Sequence, residues 1–160
     1  MLLVGDRPLI SLKSFYNLPI NTLDLTQNLN GKPMLSGVCI GTNDLAAASV
    51  FYDKVMATIG MKRTVNKPNE IGYAGSDGKT TFFVLTPYNE KAASFGNGTQ
   101  VMFYAADEAG VKAFHTMVLE CGGKDDGAPG PRSYHPGYYG AYARDLDGNK
   151  LHVAIELEGD

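Results

Sequence analysis

Four pairs of residues recur at one spacing: Asp44 and Asp107, Phe51 and Phe114, Val55 and Val118, Gly60 and Gly123, each pair 63 positions apart. Within each copy the aspartate opens a helical stretch, the Phe and Val share one face of it, and the glycine closes it, so the matches are of role as well as type. Such a repeat restricts the chain to two copies of one supersecondary unit. Each copy opens with an alternating strand, "SGVCIGT" and then "TQVMFYAA". A helix follows, "DLAAASVFYDKVMATIG" with Asn43 and Asp44 as N-cap candidates, and "DEAGVKAFHTMVLECGG" opened by Asp107. Three strand-like runs complete the first copy, "MKRTVNK", "EIGYAG" and "KTTFFVLTP", the last two joined by the turn "GSDGK". In the second copy they are a short strand near residues 123–126, then "YYGAYAR" and "NKLHVAIE" around "DLDG". The expectation is an α+β fold of two βαβββ modules, at about residues 36–86 and 99–157 within a domain of 34–158. A doubly wound βαβ domain is a poor rival, because three strands follow each helix.

Composition narrows the function classes. The 160 residues, 44% hydrophobic, suffice for one core. The net charge of -3, with Lys and Arg spread along the chain, offers no basic stripe for a phosphate backbone, so no nucleic acid partner is expected. Cys39 and Cys121 lie far apart and in no zinc-type spacing, which fits a reducing compartment. The opening "MLLVGDRPLISLKSF" lacks the pattern of a secretory leader, and no 18-residue apolar run follows. A cytoplasmic protein with no membrane partner is expected. The Asn-rich residues 1–33 read as an arm outside the core, packed along the surface, laid on a partner subunit, or loosely held.

Strand parity divides each sheet into two faces. The apolar lists are Leu151, Val153 and Ile155; Val101, Phe103 and Ala105; Thr81, Phe83 and Leu85; Val38 and Ile40. These should pack under the helices. The opposite lists mix polar tips with aromatics: Gly37, Cys39 and Gly41; Phe82, Val84 and Thr86; Gln100, Met102 and Tyr104; His152, Ala154 and Glu156. A face of that kind is solvated or lines a pocket. A hairpin without a bulge around "DLDG" pairs residue 141 with residue 152, adds Tyr139 to the mixed face and sends Tyr142 to the core. If the sheets curve around this face, Tyr139, Gln100, His152 and Glu156 converge on a pocket; the alternative for each is a side chain that only satisfies a neighbour.

The loop "GAPGPR" reads as a lid or a rigid spacer, and Arg132 at its end as a residue to hold a ligand carboxylate or phosphate. Arg144 is expected to pair locally with Asp145. His135 belongs to a Pro-Gly turn, and His115 is placed on the surface with no function. No GxSxG, P-loop, GxGxxG after a strand, or HExxH is present.

The paired units, the helix "NDLAAASVFYDKVMATIGMKR", and the stretches "GNGTQVMFYAAD", "KAFHTMVLECGGKDDGAPGPR" and "HPGYYGAYARDLDGNKL" together resemble the vicinal oxygen chelate superfamily. That group includes glyoxalases, extradiol dioxygenases, fosfomycin-resistance transferases and bleomycin-binding proteins. The resemblance covers about residues 36–157 and implies a curved, incompletely closed mixed sheet around a central pocket, and a homodimer. Members that use a divalent ion hold it with His, Gln or Glu from the first and last strand of each module. Those places fall at Gly37 and Gln100, and, counted four residues past the turn glycine, at Phe82 and His152. Gly37 and Phe82 carry no ligating side chain, so only Gln100 and His152 remain, with Glu156 or Tyr139 as a third donor in a rescue.

The first functional reading is therefore a small-molecule-binding protein with a degenerate metal site and no tightly held cofactor. Phe82, Tyr104 and Tyr139 would stack on a small, partly aromatic ligand while Gln100 and His152 orient it. A metal-dependent lyase of the same superfamily, or a non-catalytic dimerising module, are the alternatives.

Overall fold

Each helix starts where an aspartate side chain caps it. Asp44 accepts from Ala47 N at 2.9 Å and Asp107 from Gly110 N at 2.8 Å, satisfying one of the orphan donors of the first turn. Gly60 leaves the first helix at φ +77°, a conformation that glycine adopts without strain. Its repeat partner Gly123 is needed for a different reason: Gly122 takes the positive φ, and a Cβ on Gly123 would lie 2.5 Å from Arg144 O.

The computed structural model describes residues 35–155; the expected arm at residues 1–33 and the candidate Glu156 lie outside the described residues. The first module runs β1 (Val38–Gly41), α1 (Leu45–Ala57), β2 (Lys62–Lys67), β3 (Glu70–Ala74) and β4 (Thr80–Leu85). The second runs β5 (Val101–Ala105), α2 (Glu108–Glu120), β6 (Lys124–Pro131), β7 (Tyr139–Arg144) and β8 (Lys150–Ile155). The strands form two four-stranded mixed sheets, in the orders β1-β4-β3-β2 and β5-β8-β7-β6, with no closure into a barrel. In each, the first and last strands are parallel and the remaining pairs antiparallel. β6 is longer than the strand expected at residues 123–126. It takes in most of "GAPGPR", so that segment is an irregular edge strand rather than a lid or spacer.

One core serves both modules. Phe51, Tyr52 and Val55 from α1 join Val111, Phe114 and Val118 from α2 and the inward residues of both sheets. Phe82 and Phe103 meet across the modules edge to face, 5.1 Å between centroids. Burial of each such side chain stabilises the fold by about 1.5–3 kcal/mol. Phe82 thus belongs to the core, which corrects the parity expected for β4. In the parallel ladder Val38 lies opposite Phe82 and Ile40 opposite Val84, so these four share the helix-covered face. Between Ala74↔Thr80 and Tyr73↔Phe82 the partner strand advances an extra residue, Thr81. This bulge shifts by one any count made from the turn glycine.

A polar junction also ties the modules together. Asp147, in the β7–β8 loop, accepts from Thr42 Oγ1 at 2.6 Å, Asn43 N at 3.0 Å and Asn43 Nδ2 at 2.7 Å. Beneath it the buried Asp145 accepts from Tyr52 Oη at 2.7 Å and from Asn149 N and Nδ2. Arg144 does not pair with Asp145 as expected. It reaches Asp126 at 3.1 Å instead, because the Asp145 carboxylate is turned inward to close its own loop.

Candidate functional site on the outer face of the second module

The β7–β8 loop decides what this face presents. Five residues, Asp145–Asn149, separate the paired Arg144 and Lys150, with Gly148 at φ +87°. The hairpin therefore pairs Tyr142 with His152 and Ala141 with Val153, one residue away from the register expected for an unbulged "DLDG" turn. A slip of one reverses every side chain. Tyr142, expected in the core, lies on the face of His152. Tyr139, expected beside His152, turns instead toward the helices, where it packs against the core with the Lys112 ammonium 5.3 Å from its ring centroid.

His152 is the centre of this face and is only 2% exposed. Its ring stacks on Tyr142 at 4.3 Å, and its Nε2 lies 3.1 Å from Tyr138 Oη. Its Nδ1 is buried with no hydrogen-bond partner among the described residues. Burial, helped by the positive charges of Arg132 and Lys150, pushes its pKa down to about 4, so the imidazole is neutral at physiological pH. Gly140 makes room for this packing, since a Cβ there would stand 3.1 Å from His152 Nε2. Tyr142 is flanked by Arg132 at 5.4 Å and Lys150 at 4.7 Å, and its hydroxyl bonds that of Tyr134 at 2.8 Å. Burial first, then this hydrogen bond, raises the phenol to about 12, which keeps it protonated.

The expected site residues are divided by the fold. Tyr104 and Met102 extend the His152 face along β5, half exposed, and Tyr138 Oη touches Met102 Sδ at 3.6 Å. Gln100 stands farther along, on a cavity with Arg144 and Lys150. Arg132 borders the face, but its Nη2 donates to the carbonyls of Gly127 and Ala128 and its Nη1 to that of Pro131, so its fork is engaged by its own strand. Phe82 and Tyr139 are on the core side. The sequence reading missed Tyr138, Tyr142 and Lys150. The signal that could have found the latter two was the Asp-x-x-x-Asn spacing of Asp145 and Asn149, which a carboxylate closing its own loop requires. His115, expected on the surface, is buried and bonds Asp125 at 2.8 Å, pinning α2 to β6.

The metal-binding plan implied by the resemblance does not fit these side chains. The register makes Phe83, not Phe82, the first-module counterpart of His152, and neither carries a donor. A Cβ on Gly37 would meet Thr81 O at 2.9 Å and Phe83 Cε2 at 3.1 Å, so the Phe83 ring already fills the place of a ligand there. Among the described residues no three His, Cys, Asp or Glu side chains gather as a metal site requires.

The same architecture occurs in known structures. Over 78% of its length, and the whole of the other chain, this protein is similar to a glyoxalase/bleomycin resistance protein from Albidiferax ferrireducens T118, at 33% identity and a TM-score of 0.70. The chain belongs to the glyoxalase/bleomycin resistance protein family. That places it in the vicinal oxygen chelate superfamily. The family fold is also shared with a lactoylglutathione lyase from Agrobacterium tumefaciens, at 21% identity, 74% and 90% coverage of the two chains and a TM-score of 0.55. A fosfomycin resistance protein from Mesorhizobium loti matches at 17% identity, 78% and 92% coverage and a TM-score of 0.55. At those identities the likeness to the lyase and to the fosfomycin resistance protein is one of fold alone. No protein-family model and no curated protein sequence matches the chain.

Proposed function

We propose that this protein binds a small, partly aromatic organic molecule on the His152 face, with protein side chains rather than a tightly held metal ion orienting it. The observation that carries this reading is the buried, neutral His152, stacked under Tyr142, with a ring nitrogen that no described residue satisfies. An unsatisfied buried nitrogen costs on the order of 1–3 kcal/mol, which a ligand or a bound water would recover. Tyr104 and Met102 supply half-exposed apolar surface beside it, and Gln100 a polar group farther along. Tyr142 takes the stacking role that the sequence assigned to Phe82 and Tyr139.

A second copy of the chain is the proposed protein partner. Among the described residues β1 bonds only β4 and β5 only β8, so each sheet ends there in an edge strand at the side that carries Cys39, Met102 and Tyr104. Edges of that kind favour pairing unless they are covered.

A thermal-shift screen of small aromatic compounds against the full chain tests the binding reading. Hits are expected, and Tyr142→Leu should abolish them while Phe83→Leu leaves them in place. Elemental analysis after nickel, zinc and manganese titration is the opposing arm. Stoichiometric metal that disappears in His152→Ala would replace this reading with that of a metal-dependent enzyme. Sedimentation velocity should show a dimer, and a monomer at all accessible concentrations would remove the partner.

A further inference from the structure

At the end of the β7–β8 hairpin the His152 face runs into a cavity of about 250 Å³, lined by Phe95, residues 96–99, Gln100, Arg144 and Lys150. That volume is below the roughly 300–1,000 Å³ of a complete ligand site, so it suits one substituent of a larger molecule. Its lining is cationic. Arg144 and Lys150 are cross-strand neighbours, and no Asp or Glu lines the cavity among the described residues. Both share a single carboxylate, Asp126 Oδ2, at 3.1 Å each, which leaves one positive charge in excess.

The two cations are held in place without using up their donors. Arg144 gives one N–H to Asp126 and one to Gly148 O, and its guanidinium lies 5.6 Å from the Phe95 centroid. Phe95 is itself seated on Gly148, where a Cβ would stand 2.8 Å from the ring. Of the five donors of a guanidinium and three of an ammonium, enough remain for a planar or tetrahedral oxyanion. Lys150 lines the cavity and carries its Nζ to Asp126 and to within 4.7 Å of the centroid of Tyr142, the ring stacked on His152. Cavity, lysine, tyrosine and histidine therefore form one continuous track.

We infer that the ligand of this face carries an anionic group, a carboxylate or a phosphate, which Arg144 and Lys150 hold in the cavity while its ring extends along Tyr142 toward His152. The ring placement rests on the reading given under Proposed function; the anion subsite rests on the cavity and its charges. Burial, helped by the charges of Arg132 and Lys150, keeps His152 neutral, so the track offers an anion two cations and, farther in, an uncharged imidazole.

The test titrates the full chain with benzoate, phenyl phosphate and the uncharged benzamide, followed by NMR shifts of the Gly96–Gln100 amides and by calorimetry. One of the two anions should bind at least tenfold more tightly than benzamide, and the tighter of the two identifies the group. Lys150→Gln should weaken anion binding about tenfold and leave benzamide unchanged, and Lys150→Arg should restore most of it. Equal affinity for benzoate, phenyl phosphate and benzamide, or anion binding unchanged in Lys150→Gln, overturns the anion subsite. If all three probes bind alike and Tyr142→Leu abolishes them, the aromatic site stands and only the anion subsite falls. If an anion binds through Lys150 yet ignores Tyr142→Leu, the subsite stands and the aromatic placement falls. Absence of binding by every probe removes both.

Discussion

Gly72 of β3 faces Phe83 of β4, and at the equivalent place in the second module Tyr142 of β7 faces His152 of β8. The backbones around these two pairs follow one plan. In the first module the Phe83 ring lies over Gly72 and Gly37, close enough that a Cβ on either would fall within about 3 Å of it. The Phe83 ring fills that place, and among the described residues no buried polar side-chain atom of this module is left unsatisfied. In the second module two flat polar rings stack, cations flank them, and one imidazole nitrogen is left unsatisfied among the described residues. A duplicated scaffold thus repeats its packing in both halves while the side chains on the equivalent faces differ, which is how one fold hosts unlike functions.

The sharpest break in that comparison is at the core that both modules share. Phe82→Ala should lower the stability of the whole chain by about 3–5 kcal/mol in urea denaturation, as a single cooperative transition. A second transition, or a loss below about 1 kcal/mol, would mean that the modules do not depend on one another through Phe82 and Phe103.

The next effect belongs to the second module only. Folded His152 takes a proton near pH 4, against about 6.5 for an ordinary histidine. Between those values the unfolded chain binds the extra proton, so stability should fall as pH drops from about 6.5 to about 4, by on the order of 3 kcal/mol. His152→Phe should flatten that slope. Urea titrations across this range that give the same slope for both proteins would contradict the burial of a neutral ring.

In the first module the sealed face predicts a steric penalty. Gly72→Ala places a Cβ 2.7 Å from Thr80 Cγ2 and 2.9 Å from Phe83 Cδ1, and should cost about 1–3 kcal/mol without altering ligand binding. The smallest effect is expected at the polar junction. Asp147→Ala removes the acceptor for Thr42 and Asn43, on a partly exposed loop, and should cost about 1 kcal/mol while the His152 slope with pH stays as it was. A changed slope would show that the junction and the site are one unit.

Much of the fold was legible because it follows from local rules. The 63-residue repeat, the aspartate caps and the strand-like runs each report on neighbours within a few residues, and together they specify two βαβββ modules. His152, Gln100 and Tyr104 were picked out as site candidates by strand parity alone. Parity failed where it had least to work with. "TTFFVL" is apolar on both sides, so nothing in it tells which face meets the helices, and the bulge at Thr81 is invisible without the partner strand.

What the sequence determined by itself was the pair of modules and the strand that carries His152. The neighbours of that histidine were decided by the tertiary structure. The register of β7 on β8 depends on a five-residue loop closed by the Asp145 carboxylate, and Asp145 is held inward by Tyr52 from the other module. A single residue of register exchanges Tyr139 for Tyr142, since side chains alternate along a strand, and that choice is made by contacts 93 positions apart in the chain.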